Sequence, residues 1–321
     1  MKRKKKFQAY IAFFVCVLTL WISLCSEIKA SSREQIFKKL TAHDTIEDVY
    51  RINVPVKGVK GSYRYLVIND SHIIVPGAEI TDNDMIAERQ QVLQNANGRL
   101  PVDTFPELMR RVDAMKLDGI ILNGDIIDEY TAANLRALYQ SVRKVHTPIM
   151  YLRSDHDTKS WWAGNVNKKK AKVYAKRLEM TANVLVIENS ELVLAGWNDS
   201  YKNIKTSQKT RIKKLMSGKK PVVLFSHVPF AMRKNADFSQ FVMERRNQRM
   251  YWGKDGMYNT NASMKSFLKL LYQDKNRPMA VITGHIHSPY RGELRKGVPQ
   301  YVCPTFFGGS VTLLTVGNVK N

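Results

Sequence analysis

Aspartate and histidine gather at five points of this 321-residue chain, each directly after a short apolar run. Asp70-Ser71-His72 follows Tyr65–Asn69, Gly124-Asp125-Ile126-Ile127-Asp128 follows Ile120–Asn123, and Ser154-Asp155-His156-Asp157 follows Ile149–Arg153. His227 follows Val222–Ser226, and Gly284-His285-Ile286-His287 follows Ala280–Thr283. Five of the seven histidines lie in these clusters, a concentration that neither packing nor surface exposure calls for. Carboxylate oxygen and imidazole nitrogen suit divalent transition metals. A pair of such metals needs a bridging carboxylate, several imidazoles and open positions for substrate and water. His43 and His146 fall outside the pattern and read as ordinary side chains.

Residues so far apart in sequence meet only if strands carry them to one edge. Short runs rich in Val, Ile and Leu alternate with helical periodicity from Tyr63 onward, the pattern of a layered α/β domain. The expected strands are 64–69, 119–123, 149–153, 184–187, 192–196, 222–226, 279–283, 300–303 and 311–316. The expected helices are 105–116, 132–145, 168–180, 207–216 and 263–273. In an open α/β sheet the strand ends converge on one crevice, so all five clusters can share it. Residues 76–100 read as a polar insertion after the first strand, residues 31–60 as a lead-in with a short helix, and residues 61–321 as the domain.

The N-terminus follows a different logic. Met1–Lys6 carries five positive charges and precedes the seventeen-residue apolar run Ala9–Cys25, the order of an export signal. That length fits either a signal peptide cleaved near Ala30 or a retained membrane anchor, so residues 1–30 are set apart from the fold. Basic residues ahead of an apolar run keep the N-terminus inside, which places the remainder outside the cytoplasm under both readings. Cys303 is then the only cysteine of the exported part, and the fold stands without an internal disulfide. Residues 1–30 hold six basic residues and one acidic, so the formal charge of +23 falls only to +18 without them. Such an excess concentrates anionic partners: phosphorylated envelope polymers, nucleotides or an acidic membrane surface. No basic run is interleaved with aromatics, which argues against a nucleic-acid partner.

Taken in order, Asp-x-His, Gly-Asp-x-x-Asp, the cluster at 154–157, a lone His and Gly-His-x-His resemble the calcineurin-like metallophosphoesterase superfamily. The resemblance implies an α/β/β/α sandwich with a two-metal site at its strand ends, loaded with Mn, Fe or Zn. It implies Asp70, His72, Asp125 and His287 around a first metal, with Asp125 bridging to a second held by Asp155, His227 and His285. It further implies His156 as the group that meets the phosphate and protonates the leaving oxygen, poised by Asp128 or Asp157. The activity implied is hydrolysis of a phosphomonoester or diester through attack by a metal-bridging hydroxide, with Asp125 and His156 as the catalytic pair. One departure is plain: Ser154-Asp155 stands where the family has Gly-Asn, adding a negative charge beside the metals. Arg153 is a candidate phosphate contact and Trp161 and Trp162 candidate walls of a substrate cleft, each with a structural alternative in ion pairing or in covering apolar surface. Two rival classes use the same residues: another binuclear metallohydrolase, and a non-catalytic anion-binding envelope protein.

Overall fold

The computed structural model describes residues 35–36, 38–41, 45–77, 79–180, 182–200, 203–230, 238, 240–242, 244, 261–273 and 278–319. The predicted export segment, residues 1–30, and most of the loop 230–262 lie outside the described residues. Among those described, no helix is long and apolar enough to cross a membrane.

Two sheets are stacked face to face. The first has β1 (Asp48–Pro55), β2 (Ser62–Ile68), β3 (Gly119–Asn123), β4 (Ile149–Leu152) and β11 (Ser310–Gly317) in the order β1-β11-β2-β3-β4. The second has β5 (Val184–Glu188), β6 (Val193–Trp197), β7 (Val222–Phe225), β8 (Ala280–Thr283), β9 (Tyr290–Arg295) and β10 (Val298–Val302) in the order β5-β6-β7-β8-β10-β9. Strands β2, β3 and β4 are mutually parallel, as are β6, β7 and β8. The helices are α1 (Asn83–Val92), α2 (Pro101–Arg111), α3 (Ala132–Val142), α4 (Lys168–Arg177), α5 (Thr206–Met216) and α6 (Ala262–Leu271).

The period-2 alternation of each strand creates three apolar layers. Tyr65, Val67 and Ile121 of the first sheet meet Leu194, Val223, Phe225 and Ile282 of the second between the sheets, where Cys303 is buried too. Their strand neighbours Leu66, Ile68, Ile120 and Leu122 face the other way, against Phe105, Leu108, Leu135 and Leu138 of α2 and α3. Val222, Leu224 and Val281 turn outward onto Ile212, Met216, Phe267 and Leu271 of α5 and α6. Helix, sheet, sheet and helix are therefore the layers, the α/β/β/α sandwich anticipated. Each fully buried Leu, Ile, Val or Phe stabilises it by roughly 1.5–3 kcal/mol.

Three elements correct the sequence reading. The lead-in of residues 31–60 contains a strand that was not expected, β1, which pairs in parallel with β11 over Asp48–Pro55. The insertion at 76–100 contains α1, which has no buried residue. The strand β9 was not anticipated either; Leu294 is its one buried side chain, and its pairing with β10 rests on the backbone.

Candidate metal centre

All five clusters sit where the parallel strands end: β2, β3 and β4 in one sheet, β7 and β8 in the other. The chain must turn sharply there while presenting side chains inward. Asp70, His72, Asp125, His285 and His287 all adopt positive φ, between 47° and 69°, a conformation that costs a non-glycine residue free energy and collects at functional sites. Only Lys116 and Glu179 share it among the other described non-glycine residues. The loops after β2 and β3 run side by side, with Asp70 N–H donating to the Gly124 carbonyl (3.1 Å) and His72 N–H to that of Asp125 (2.9 Å). Gly124 lets them close on the second sheet: a Cβ there would lie 2.5 Å from the His227 ring.

These turns bring six predicted ligands into two groups. Asp70, His72 and His287 form one, and Asp125, His227 and His285 the other, each with its donor atoms within 4.8 Å of one another. Asp125 links them: its Oδ2 lies 2.9 Å from His227 Nε2 and 4.0 Å from His72 Nε2. Asp70 Oδ1 is likewise 3.1 Å from His287 Nε2 and 3.6 Å from His227 Nε2.

The hydrogen bonds fix which ring atoms face the centre. His227 Nδ1 donates to the Asn123 carbonyl (2.8 Å) and His72 Nδ1 to the Asp128 carboxylate (2.9 Å), since neither oxygen can donate. In the neutral rings Nε2 then carries a lone pair, and it faces carboxylate oxygen. His72 Nε2, His227 Nε2, Asp70 Oδ1 and Asp125 Oδ1 are all buried without a hydrogen bond. Acceptors collected in this way require cations between them. The electrostatics agree. Burial opposes charge on His227, yet Asp125 and Asp70 raise its pKa well above the ordinary histidine value, so a proton and a metal ion compete for the same Nε2 lone pair. Burial likewise opposes charge on Asp125, but His227 and His156 hold it well below the carboxylate range. The residues present fit two divalent cations, one per group, with Asp125 reaching both.

Around the ligands lies a brace of carboxylates with donors. Asp128, fully buried, accepts from His72 and from Nε (3.0 Å) and Nη2 of Arg89. Burial disfavours its charge, but His72 and Arg89 prevail and bring it down to about 2. His156 Nδ1 donates to the Asp128 carbonyl (2.7 Å) and lies 3.6 Å from its carboxylate. Asp128 is therefore the carboxylate that faces His156. Asp157 is occupied elsewhere, accepting from the N–H groups of Asp125, Ile126, Ile127 and Ser154 and from the Tyr151 hydroxyl, at 2.6–3.2 Å. It organises the Asp125 loop.

Asp155 does not enter either three-ligand group. It accepts from Ser154 Oγ (3.2 Å), and Lys159 Nζ stands 4.0 Å away, a cation that offsets the charge this chain adds. Arg153 donates to the Ala182 carbonyl (3.2 Å), outside both groups. Trp161 stands edge-on to His156, their ring centroids 4.4 Å apart, whereas Trp162 is half-buried with its N–H toward Glu129 (3.4 Å).

Sequence reasoning missed three participants. Arg89 comes from the insertion, where no strand end marks it. Glu129, buried beside Asp128, was hidden behind the recognised motif. Asp199 ends β6 as the other clusters end their strands, so the same rule finds it. It accepts from Val228 N–H (2.9 Å), and burial raises its carboxyl to about 7 although His227 pulls the other way.

Among solved structures, the chain is similar to a dimetal phosphatase from Danio rerio at 10% identity, covering 77% of this chain and 88% of that one with a TM-score of 0.46. It is similar to the purple acid phosphatase PPD1 of yellow lupin (Lupinus luteus) at 13% identity, covering 80% and 46% with a TM-score of 0.48. No curated protein sequence matches it. The model of the calcineurin-like phosphoesterases matches residues 63–289, which hold all five clusters. This chain belongs to the calcineurin-like phosphoesterase family.

Proposed function

We propose that the chain is a binuclear metallophosphoesterase that hydrolyses a phosphomonoester or diester outside the cytoplasm. One observation carries the enzymatic part: Asp125 Oδ2 stands between His227 Nε2 and His72 Nε2, both turned lone pair inward by the bonds at their Nδ1 atoms. Asp70, His72 and His287 would hold one cation, and His227 and His285 the other, with Asp125 shared and Asp155 available at its edge. The Asp and His donors suit Mn, Fe or Zn. When bound, two such ions supply positive charge against the phosphoryl oxygens and lower the pKa of the attacking water.

The chain's own residues do the rest. Asp128 fixes the His72 tautomer, and Arg89 keeps Asp128 ionised for that purpose. Asp157 holds the Asp125 loop through its main-chain N–H groups. His156, oriented by the Asp128 carbonyl, presents Nε2 to the substrate. Water attacks phosphorus and gives up a proton to solvent, the ester P–O bond breaks, the leaving oxygen takes its proton from that nitrogen, and solvent reprotonates His156. Location outside the cytoplasm rests on the basic and then apolar order of residues 1–25.

The test is hydrolysis of 4-nitrophenyl phosphate beside bis(4-nitrophenyl) phosphate by the purified full-length chain, with Mn²⁺, with Zn²⁺ and with chelator. Metal-dependent release of nitrophenol from either ester is expected. No release from both, in protein shown to carry metal, contradicts the proposal. A C-terminal reporter that matures only after export is expected to be active, and a reporter active only in the cytoplasm contradicts the location.

A further inference from the structure

Trp161 is 50% exposed, although tryptophan is one of the side chains that gains most from burial. Its loop is nevertheless tied down on both sides. The Asp155 carbonyl accepts from the N–H groups of Thr158 (3.1 Å) and Lys159 (2.9 Å), and Tyr130 N–H donates to the Lys159 carbonyl (2.8 Å). Ser160 Oγ donates to the Tyr130 carbonyl (2.8 Å). Beyond the ring, the buried Glu129 carboxylate faces the N–H groups of Trp162 and Ala163 at 3.4 Å each. Ordering a loop costs conformational entropy, which an exposed indole does little to recover through burial.

What the loop achieves is placement. The Trp161 ring meets His156 edge-on at 4.4 Å and 89°, and the His156 ring in turn lies 4.6 Å from that of His72. His156, the imidazole assigned the acid-base role, thus touches the Trp161 ring on one hand and the ring of the predicted ligand His72 on the other. Lys159 Nζ is 5.6 Å from the indole centroid on the same loop. A fixed aromatic surface in contact with the proton donor is within reach of a group attached to the leaving oxygen.

We propose that Trp161 forms the wall of a leaving-group subsite and makes the enzyme favour phosphoesters whose leaving group carries an aromatic ring. This rests on the phosphoesterase reading, because it is the role of His156 that defines the leaving side. Offset or edge-to-face stacking on the indole supplies the preference.

The experiment compares phenyl phosphate with ethyl phosphate, using metal-loaded full-length protein and its Trp161→Ala and Trp161→Phe variants. In Trp161→Ala the preference for the phenyl ester, measured as the ratio of kcat/KM values, is expected to fall about tenfold, chiefly through KM. Trp161→Phe, which keeps a ring, is expected to restore most of the ratio. A ratio unchanged by Trp161→Ala overturns the proposal, since equal losses on both esters would mean that the indole only steadies His156. Calorimetric binding of phenylphosphonate against methylphosphonate, neither of which can be hydrolysed, gives a second readout. There Trp161→Ala is expected to lose about tenfold for the phenyl ligand relative to the methyl one. Should the wild type turn over neither monoester, the nitrophenyl diester decides the phosphoesterase reading, and the phosphonate pair alone decides whether the wall exists: equal losses, or none, overturn it.

Discussion

Carboxylates gather at both ends of the parallel strands, and the two ends treat them in opposite ways. Where the strands begin, every oxygen that matters meets a donor. Asp113 accepts from the N–H groups of His146 and Thr147 and from the Thr147 hydroxyl ahead of β4, and Asp118 from the Arg64 N–H beside β3. Glu191, ahead of β6, accepts from the N–H groups of Lys60 and Gly61 and from the Tyr63 hydroxyl. Where the strands finish, Asp70 and Asp125 are buried, Oδ1 of each has no hydrogen bond, and imidazole nitrogens lie beside Asp70 Oδ1 and Asp125 Oδ2. Donors supplied make a clasp, whereas donors withheld make a cation site. Asp128 and Asp157 show that the finishing end has donors to give when a carboxylate serves as scaffold. The withholding at Asp70 and Asp125 is therefore selective.

The largest effect that can break the contrast is at Asp125. Asp125→Asn removes the shared charge and is expected to lower metal-dependent turnover by on the order of 10³-fold or more. In the metal-free protein the same substitution is expected to lower the melting temperature, because the ionised carboxylate is held by His227 and His156. A fully active Asp125→Asn enzyme would sink the linking role. Next comes Asp128→Asn, which keeps the shape but weakens both the His72 bond and the Arg89 pair. A loss of roughly 10–100-fold in affinity at the first metal is expected, read by competition with a chelator. An unaltered affinity would reduce Asp128 to packing.

At the opposite end the readout is stability and not turnover. Burial tends to raise the Asp113 pKa, but the N–H of His146 and the hydroxyl and N–H of Thr147 outweigh it and hold the group well below the carboxylate range. Its folded pKa lies below the unfolded value of about 3.9, so its contribution is fully present above that pH and is lost as the pH falls through the folded value. Asp113→Asn is expected to reduce stability at neutral pH by about 1 kcal/mol, a figure kept small because the carboxylate is 38% exposed. Denaturant midpoints should begin to approach those of the wild type as the pH falls below about 4 and should meet only below the folded pKa. A difference that persists there, or altered turnover, would show that the two ends are not separable. The smallest effect is expected at Asp155→Asn, which removes a charge already offset by Lys159 and leaves an oxygen donor in place. Turnover should stay within about threefold, and a larger loss would mean that the Asp155 charge itself is required.

This division of labour was unevenly visible in the sequence. The site was legible because its ligands each close an apolar run, and Asp or His after Val, Ile or Leu is conspicuous. Strands such as Gly119–Asn123, buried throughout, advertise themselves the same way. What escaped had little hydrophobic signature. In β1 the buried residues Val49, Ile52 and Val54 break strict alternation, and α1 buries nothing. Arg89 reaches Asp128 across 39 residues of sequence, a pairing that no local pattern encodes. The sequence named Trp161 and Trp162 together as candidate walls, and only the position of Trp161 against His156 separates the two.

Metal stoichiometry tests the central claim most directly. Titration of Mn²⁺ into chelator-treated full-length protein should saturate at two ions per chain, and Asp125→Asn should impair both binding events. Binding of no ion, or two ions bound as tightly without the Asp125 carboxylate, would contradict a cation site made from withheld donors.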